Sequence, residues 1–173
     1  LPNNPLFTSD ILEKCKKLII FIKGLTLFLC DDEQLRNKLA TELASIYGKR
    51  VLLEKLPSQK SDILCASYRW WIMNLNLIQI PEQIIIPLLP IPNMSEPINV
   101  ITVLHNKELS KDWFREFLLP DALLKLERSI SPLRKNSGKL IILDGRANKR
   151  RWGRLLMESI QPSKRINYML PFD

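Results

Sequence analysis

Glycine is scarce in this chain of 173 residues: there are five, at positions 24, 48, 138, 145 and 153. No two of them can form the loop G-x-x-x-x-G-K-(S/T), whose amides and lysine hold nucleotide phosphates. A D-E-A-H-type acidic segment for metal and water is absent as well. Histidine occurs once, as His105, and reads as a surface or helix-end residue. The three cysteines, Cys15, Cys30 and Cys65, are far apart and odd in number. No pair has metal-ligand spacing, so they read as small core hydrophobes of a reducing compartment. No apolar run reaches the roughly 20 residues of a membrane span; the longest, Leu18–Ile22 and Ile84–Leu89, are strand- or helix-sized. The first residue is Leu1 rather than Met and no secretory leader pattern is visible. The expectation is therefore a fragment of a longer cytoplasmic protein with no membrane partner.

What is abundant is positive charge, and it is unevenly placed. The net charge is +8. Residues 1–133 hold 16 Lys and Arg against 15 Asp and Glu, whereas residues 134–173 hold 10 against 3. Such asymmetry points to a polyanionic partner, nucleic acid first; a solvated basic tail is the plain alternative. The densest segment carries Lys149, Arg150, Arg151 and Arg154. Its only nearby acids in sequence are Asp144 and Glu158, too few to neutralise it.

With 46% apolar and 25% charged residues, the composition is globular and suits one domain. Residues 1–7 read as an extended lead-in. Thr8, Ser9 or Asp10 can cap a helix running to about Lys23, ended by Gly24. Leu25–Cys30 is a short apolar strand. Asp31 or Asp32 caps a helix with Leu35, Leu39, Leu43 and Ile46 at helical spacing, closed by Gly48. Arg50–Leu53 and Asp62–Ala66 are further strands, and Tyr68–Leu77 is ambiguous. Gln83–Leu88 is a fourth strand, and Pro87, Pro90, Pro92 and Pro97 make a rigid loop after it. Helices are expected from Ser95, from Ser110 through Trp113, Phe114 and Phe117, and from Pro120. Lys139–Asp144 is the fifth strand, followed by a short helix with Trp152, Leu155 and Leu156. Strands separated by helical segments predict an α/β domain, a parallel sheet with helices on both faces. Leu25–Cys30, Asp62–Ala66, Gln83–Leu88 and Lys139–Asp144 are expected at its centre.

Several blocks, in order, resemble the C-terminal motor half of XPD/DinG-type DNA helicases. Phe114–Leu126 is similar to that family's approach to its last motif, F-x-x-x-x-L-P-x-A-x-L-(K/R)-L. Asp144-Gly145-Arg146, preceded by Gly138 and a strand, looks like its D-x-R. Trp152–Ile160 is similar to Y-G-x-x-F-x-x-S-L-P. Leu89–Pro97 resembles its L-P-F-P-x-P-S-D-P loop, and Gly24–Leu43 its G-x-T-L-x-L-F-T-S strand and following helix. The resemblance implies a single RecA-like domain over residues 1–173, of the P-loop NTPase fold type. It implies single-stranded DNA as ligand and an N-terminal helicase domain of the same parent chain as partner.

The reactive positions of that family are eroded. Where it has Q-G-x-G-R-x-I-R, this chain aligns Arg128 with the glutamine, Ser129 and Ser131 with the glycines, Pro132 with the finger arginine and Lys135 with the second arginine. An arginine finger neutralises charge on a transferred phosphoryl group, and proline has neither charge nor N–H. Arg134 and Lys135 are near enough in sequence to substitute, or are solvated loop charges. Where the family has S-F-W-E-G-(I/V)-D, this chain has Tyr68-Arg69-Trp70-Trp71-Ile72-Met73-Asn74. Trp71 replaces the acid, Ile72 the glycine and Asn74 the aspartate. Trp70 and Trp71 offer stacking faces for bases or simply core. The fragment is expected to be inactive by itself, with no catalytic residue and no metal. ATP and Mg are implied only if the remainder of the parent supplies a P-loop. Besides an eroded helicase domain that still binds nucleic acid, two readings stay open: a non-catalytic interaction module on the same fold, and a working helicase with a finger from elsewhere.

Overall fold

A computed structural model of the chain describes residues 9–19, 23–59, 62–91, 100–101, 104–105 and 112–165. The expected cap Thr8, Pro92 and Pro97 of the proline loop, and the helix starts at Ser95 and Ser110 lie outside them.

Five strands form one sheet: β1 (Thr26–Leu29), β2 (Val51–Leu53), β3 (Ile63–Ala66), β4 (Gln83–Ile86) and β5 (Lys139–Ile142). Their order is β2-β3-β1-β4-β5 and every pairing is parallel. Parallel strands need crossover connections, and helices supply them except between β2 and β3, where described residues 54–59 form no helix. The helices are α1 (Ser9–Ile19), α2 (Glu33–Tyr47), α3 (Tyr68–Asn74), α4 (Leu119–Ile130), α5 (Leu133–Asn136), α6 (Arg146–Lys149) and α7 (Gly153–Ser159).

The two faces of the sheet are covered by different helices. Phe28, Ile63, Cys65 and Ile85 pack against α1 and α2. Leu27, Leu64, Ile84 and Ile86 pack against α3, α4, α5 and α7. Covering both faces explains why the strands read as continuous apolar runs rather than alternating ones. Each such fully buried Leu or Ile contributes about 1.5–3 kcal/mol. The protein thus has the α/β architecture of RecA-like domains, a parallel sheet with helices on both faces. No helix among the described residues is long and apolar enough to cross a membrane.

The local signals behave as their chemistry dictates. The Asp32 carboxylate accepts the Leu35 amide at 2.8 Å and starts α2. Gly48, at φ 59°, ends it in the left-handed region that favours glycine. The ambiguous segment becomes α3 because the Ser67 hydroxyl caps it at the Trp70 amide. Pro120 sits at the start of α4, directly after the wide turn Phe114–Leu118. The three cysteines are buried, and burial pushes their thiols up to about 12. His105 is exposed.

Four expectations need correction. Lys139–Asp144 is an edge strand, not a central one. Its apolar run reports cover on its faces, which an edge strand flanked by helices shares. Phe114–Leu118 is a wide helical turn, closed by the Leu119 amide on the Phe114 carbonyl, and it runs directly into α4. The described part of α1 ends at Ile19, and Lys23, the next described residue, is not helical. Arg134 and Lys135 belong to the short helix α5, which the sequence reading missed, as it missed α6.

Candidate functional site

The chain reverses direction in its strand order at β1. The connection from β1 runs through α2 on one face, and that from β3 through α3 on the other. In open α/β sheets, ligands gather beyond the carboxyl ends of strands at such a reversal. Here the chain's own side chains bridge that edge. The Asp31 carboxylate accepts the Tyr68 amide at 3.0 Å. Glu54, which follows β2, accepts the Ser67 amide at 2.9 Å and the Ser67 hydroxyl at 2.6 Å. Arg36 donates to the carbonyls of Cys30 at 2.9 Å and Asp31 at 3.2 Å, with its Nε 3.6 Å from Glu54. Burial would raise the Glu54 pKa. The two bonds from Ser67 and the charge of Arg36 outweigh it and hold the carboxyl below its usual range. Glu54 has φ 48°, a left-handed conformation that costs a non-glycine residue about 1–2 kcal/mol. Its bonds to Ser67 offset that strain. Arg36, Glu54 and Ser67 are far apart in sequence, and no local pattern betrays their meeting.

At the other end of the sheet edge, β5 leads to Asp144. Its carboxylate is fully buried and accepts the Leu89 amide at 2.9 Å. Arg146 binds both oxygens of Asp144: its Nε donates to Oδ1 at 3.0 Å and to Oδ2 at 2.9 Å, and its Nη2 donates to Oδ2 at 2.7 Å. Arg146 also donates to the carbonyls of Ile91 and Leu89. The D-x-R segment is therefore a clamp that ties the loop after β4 to the end of β5.

Directly beyond this clamp stands the basic segment. Asp144 is committed to Arg146, and Glu158 pairs with Arg154 at 2.9 Å. Lys149, Arg150 and Arg151 are exposed, and their side chains have no hydrogen bond or ion pair among the described residues. Two features fix the segment's path. A Cβ on Gly153 would collide with the Ala147 carbonyl, so glycine permits the close approach of α6 and α7. Trp152 is half-buried, 6.4 Å from the ring of Phe114, and packs against the core.

The two segments that resemble the last helicase motifs, far apart in sequence, meet on the α3–α4 face. Trp71 is fully buried and donates its indole N–H to the Ser129 carbonyl at 2.9 Å. Trp70 is half-buried on the same core. Ser129 is buried and its hydroxyl has no hydrogen-bond partner among the described residues. Ser131 is exposed and donates to the Arg128 carbonyl at 2.8 Å. Pro132 caps α5, and Lys135 is exposed on that helix. Arg134 is not a free loop charge: it donates to the carbonyls of Gln161 at 3.0 Å and Ser159 at 3.4 Å. Ile72, Leu75, Leu124, Glu127, Arg128, Ser131 and Arg134 line a groove of about 530 Å3 here.

Chemically, this arrangement offers ion pairing and apolar contact. Among the described residues, no group of three His, Cys, Asp or Glu side chains is placed to hold a metal ion. The basic segment and Trp70 are separate features in the fold: the former follows β5, the latter follows β3. No family model matches this sequence, and a search of curated proteins finds no match, so the functional reading rests on the chain's own residues.

Proposed function

We propose that this chain is a nucleic-acid-binding RecA-like domain, kin to the C-terminal motor domain of XPD/DinG-type helicases, that does not by itself couple ATP to movement. The observation that carries this reading is the run Lys149, Arg150 and Arg151, exposed and without a partner among the described residues, in the stretch that follows β5. Unpaired cations in a row suit a phosphate backbone, whose binding releases counterions. Single-stranded DNA is the ligand the kinship favours, and a first motor domain of the parent chain is the partner. The packing of α3 on α4 supports the kinship, since both eroded motifs would share a site in an active relative. The loss of ATP coupling is supported by Pro132 at the finger position and by Trp71 and Ile72 in place of an acid and a glycine.

The test is single-strand DNA binding at two salt concentrations, for the wild type and for Arg150→Glu with Arg151→Glu. Wild-type affinity should fall with salt, with a slope near −0.7 per phosphate contact. The double variant should bind more weakly and with a shallower slope. Unchanged affinity and slope in a folded variant would reduce the segment to a solvated face. An ATP analogue titrated calorimetrically into the same protein should give no micromolar binding.

A further inference from the structure

The groove between α3 and α4 asks for an occupant of its own. Ile72, Leu75 and Leu124 are its apolar part, and Glu127, Arg128, Ser131 and Arg134 its polar part. None of these seven side chains is buried. Met73 and Leu77, on the same stretch of chain as Ile72 and Leu75, are 72% and 70% exposed. Contiguous apolar surface with a polar rim marks a contact site.

Three observations narrow the occupant. The groove has the volume of a small-molecule pocket, but such pockets bury about 70–90% of the ligand's surface. This groove lies open, with five of its seven lining residues exposed and Ile72 and Leu75 half-buried. It suits an extended element that lays one apolar face down, as amphipathic helices do with residues at i, i+3, i+4 and i+7. The charge then sets the sign. Glu127 and Arg134 lie 4.0 Å apart and offset one another. Arg128 is exposed, and its guanidinium has no hydrogen bond or ion pair among the described residues. One uncompensated cation beside three aliphatic side chains is a poor site for a polyanion and a good one for a single carboxylate next to leucine-like groups.

We propose that this groove docks an amphipathic, acid-bearing helix of a partner protein, with Arg128 pairing its carboxylate. The proposal is independent of nucleic-acid binding by the segment after β5.

The probes are two fluorescent helical peptides with leucines at i, i+3, i+4 and i+7. One carries glutamates and the other lysines at the flanking positions. The wild type should bind the glutamate peptide and prefer it over a scrambled one of equal charge. Leu124→Gln alters an exposed side chain of a helix former, so the fold should stand, and affinity should fall about tenfold. Arg128→Glu should reverse the preference toward the lysine peptide. Equal binding of scrambled and patterned glutamate peptides would mean attraction to the basic chain in general and would overturn the proposal. Binding insensitive to both substitutions would do the same. Self-association abolished by Leu124→Gln, without peptide binding, would make a second copy the occupant instead.

Discussion

Trp71 donates its indole N–H to the carbonyl oxygen of Ser129 at 2.9 Å, with both residues fully buried. Ser129 lies in the last turn of α4, where carbonyls lack intrahelical partners. The indole thus satisfies a helix end and fills space between two helices in one contact. An acid or a glycine at these positions of α3 would do neither. The segment that resembles an eroded motif is therefore intact as packing.

Replacing Trp71 by Phe keeps an aromatic ring but leaves that carbonyl unpaired. The expected loss is about 1–3 kcal/mol of folding stability. Urea denaturation checks it, with the slope against denaturant unchanged. A loss no greater than that of an exposed substitution such as Met73→Ala would mean that solvent reaches the carbonyl.

The two carboxylate–arginine pairs around the basic segment should differ sharply. Asp144 is fully buried and Arg146 nearly so, at 16% side-chain exposure. Arg154 and Glu158 are 87% and 55% exposed. Asp144→Asn leaves a guanidinium uncompensated and should cost about 3–5 kcal/mol. Glu158→Gln should cost under about 1 kcal/mol. Thermal and chemical denaturation of both variants decide the matter, and equal costs would remove the clamp from the account. If Asp144→Asn stays folded, its backbone amides at Leu89 and Arg146 should lose hydrogen-exchange protection first, because both donate to that carboxylate.

Glu54 should confer an acid limb on stability. Its folded pKa lies below the unfolded value, so its contribution is complete above the unfolded pKa of about 4.3. That contribution is lost as pH falls through the lowered folded pKa. The stability difference between wild type and Glu54→Gln should therefore be larger at neutral pH than in acid, where both side chains are uncharged. Denaturation midpoints across this range are the readout. A difference that stays constant with pH would mean that Glu54 acts through shape rather than charge.

The sequence by itself determined the strands, the longer helices and the two-faced layering, but not the short helices α5 and α6. Strands buried on both faces must be apolar at nearly every position, and in these two the buried exceptions, Thr26 and Gln83, hydrogen-bond each other, so Leu25–Cys30 and Gln83–Leu88 are legible without any neighbour. Asp32 and Gly48 bracket α2 by local chemistry alone, the one accepting a free amide and the other adopting a left-handed turn. The basic segment after Asp144 is also legible, because charge surplus needs no geometry to count. Only the tertiary structure decided which strand is an edge, since hydrophobicity reports cover on a face and not a neighbour in the ladder. It alone joined Arg36, Glu54 and Ser67 into one network, and committed Asp144 to Arg146 and Glu158 to Arg154. It also opened a groove at Arg128 beside Leu124 and Ile72. Ion pairs and grooves depend on distances between residues remote in sequence. Those distances follow from how helices settle on the sheet, and no local pattern of residues encodes them.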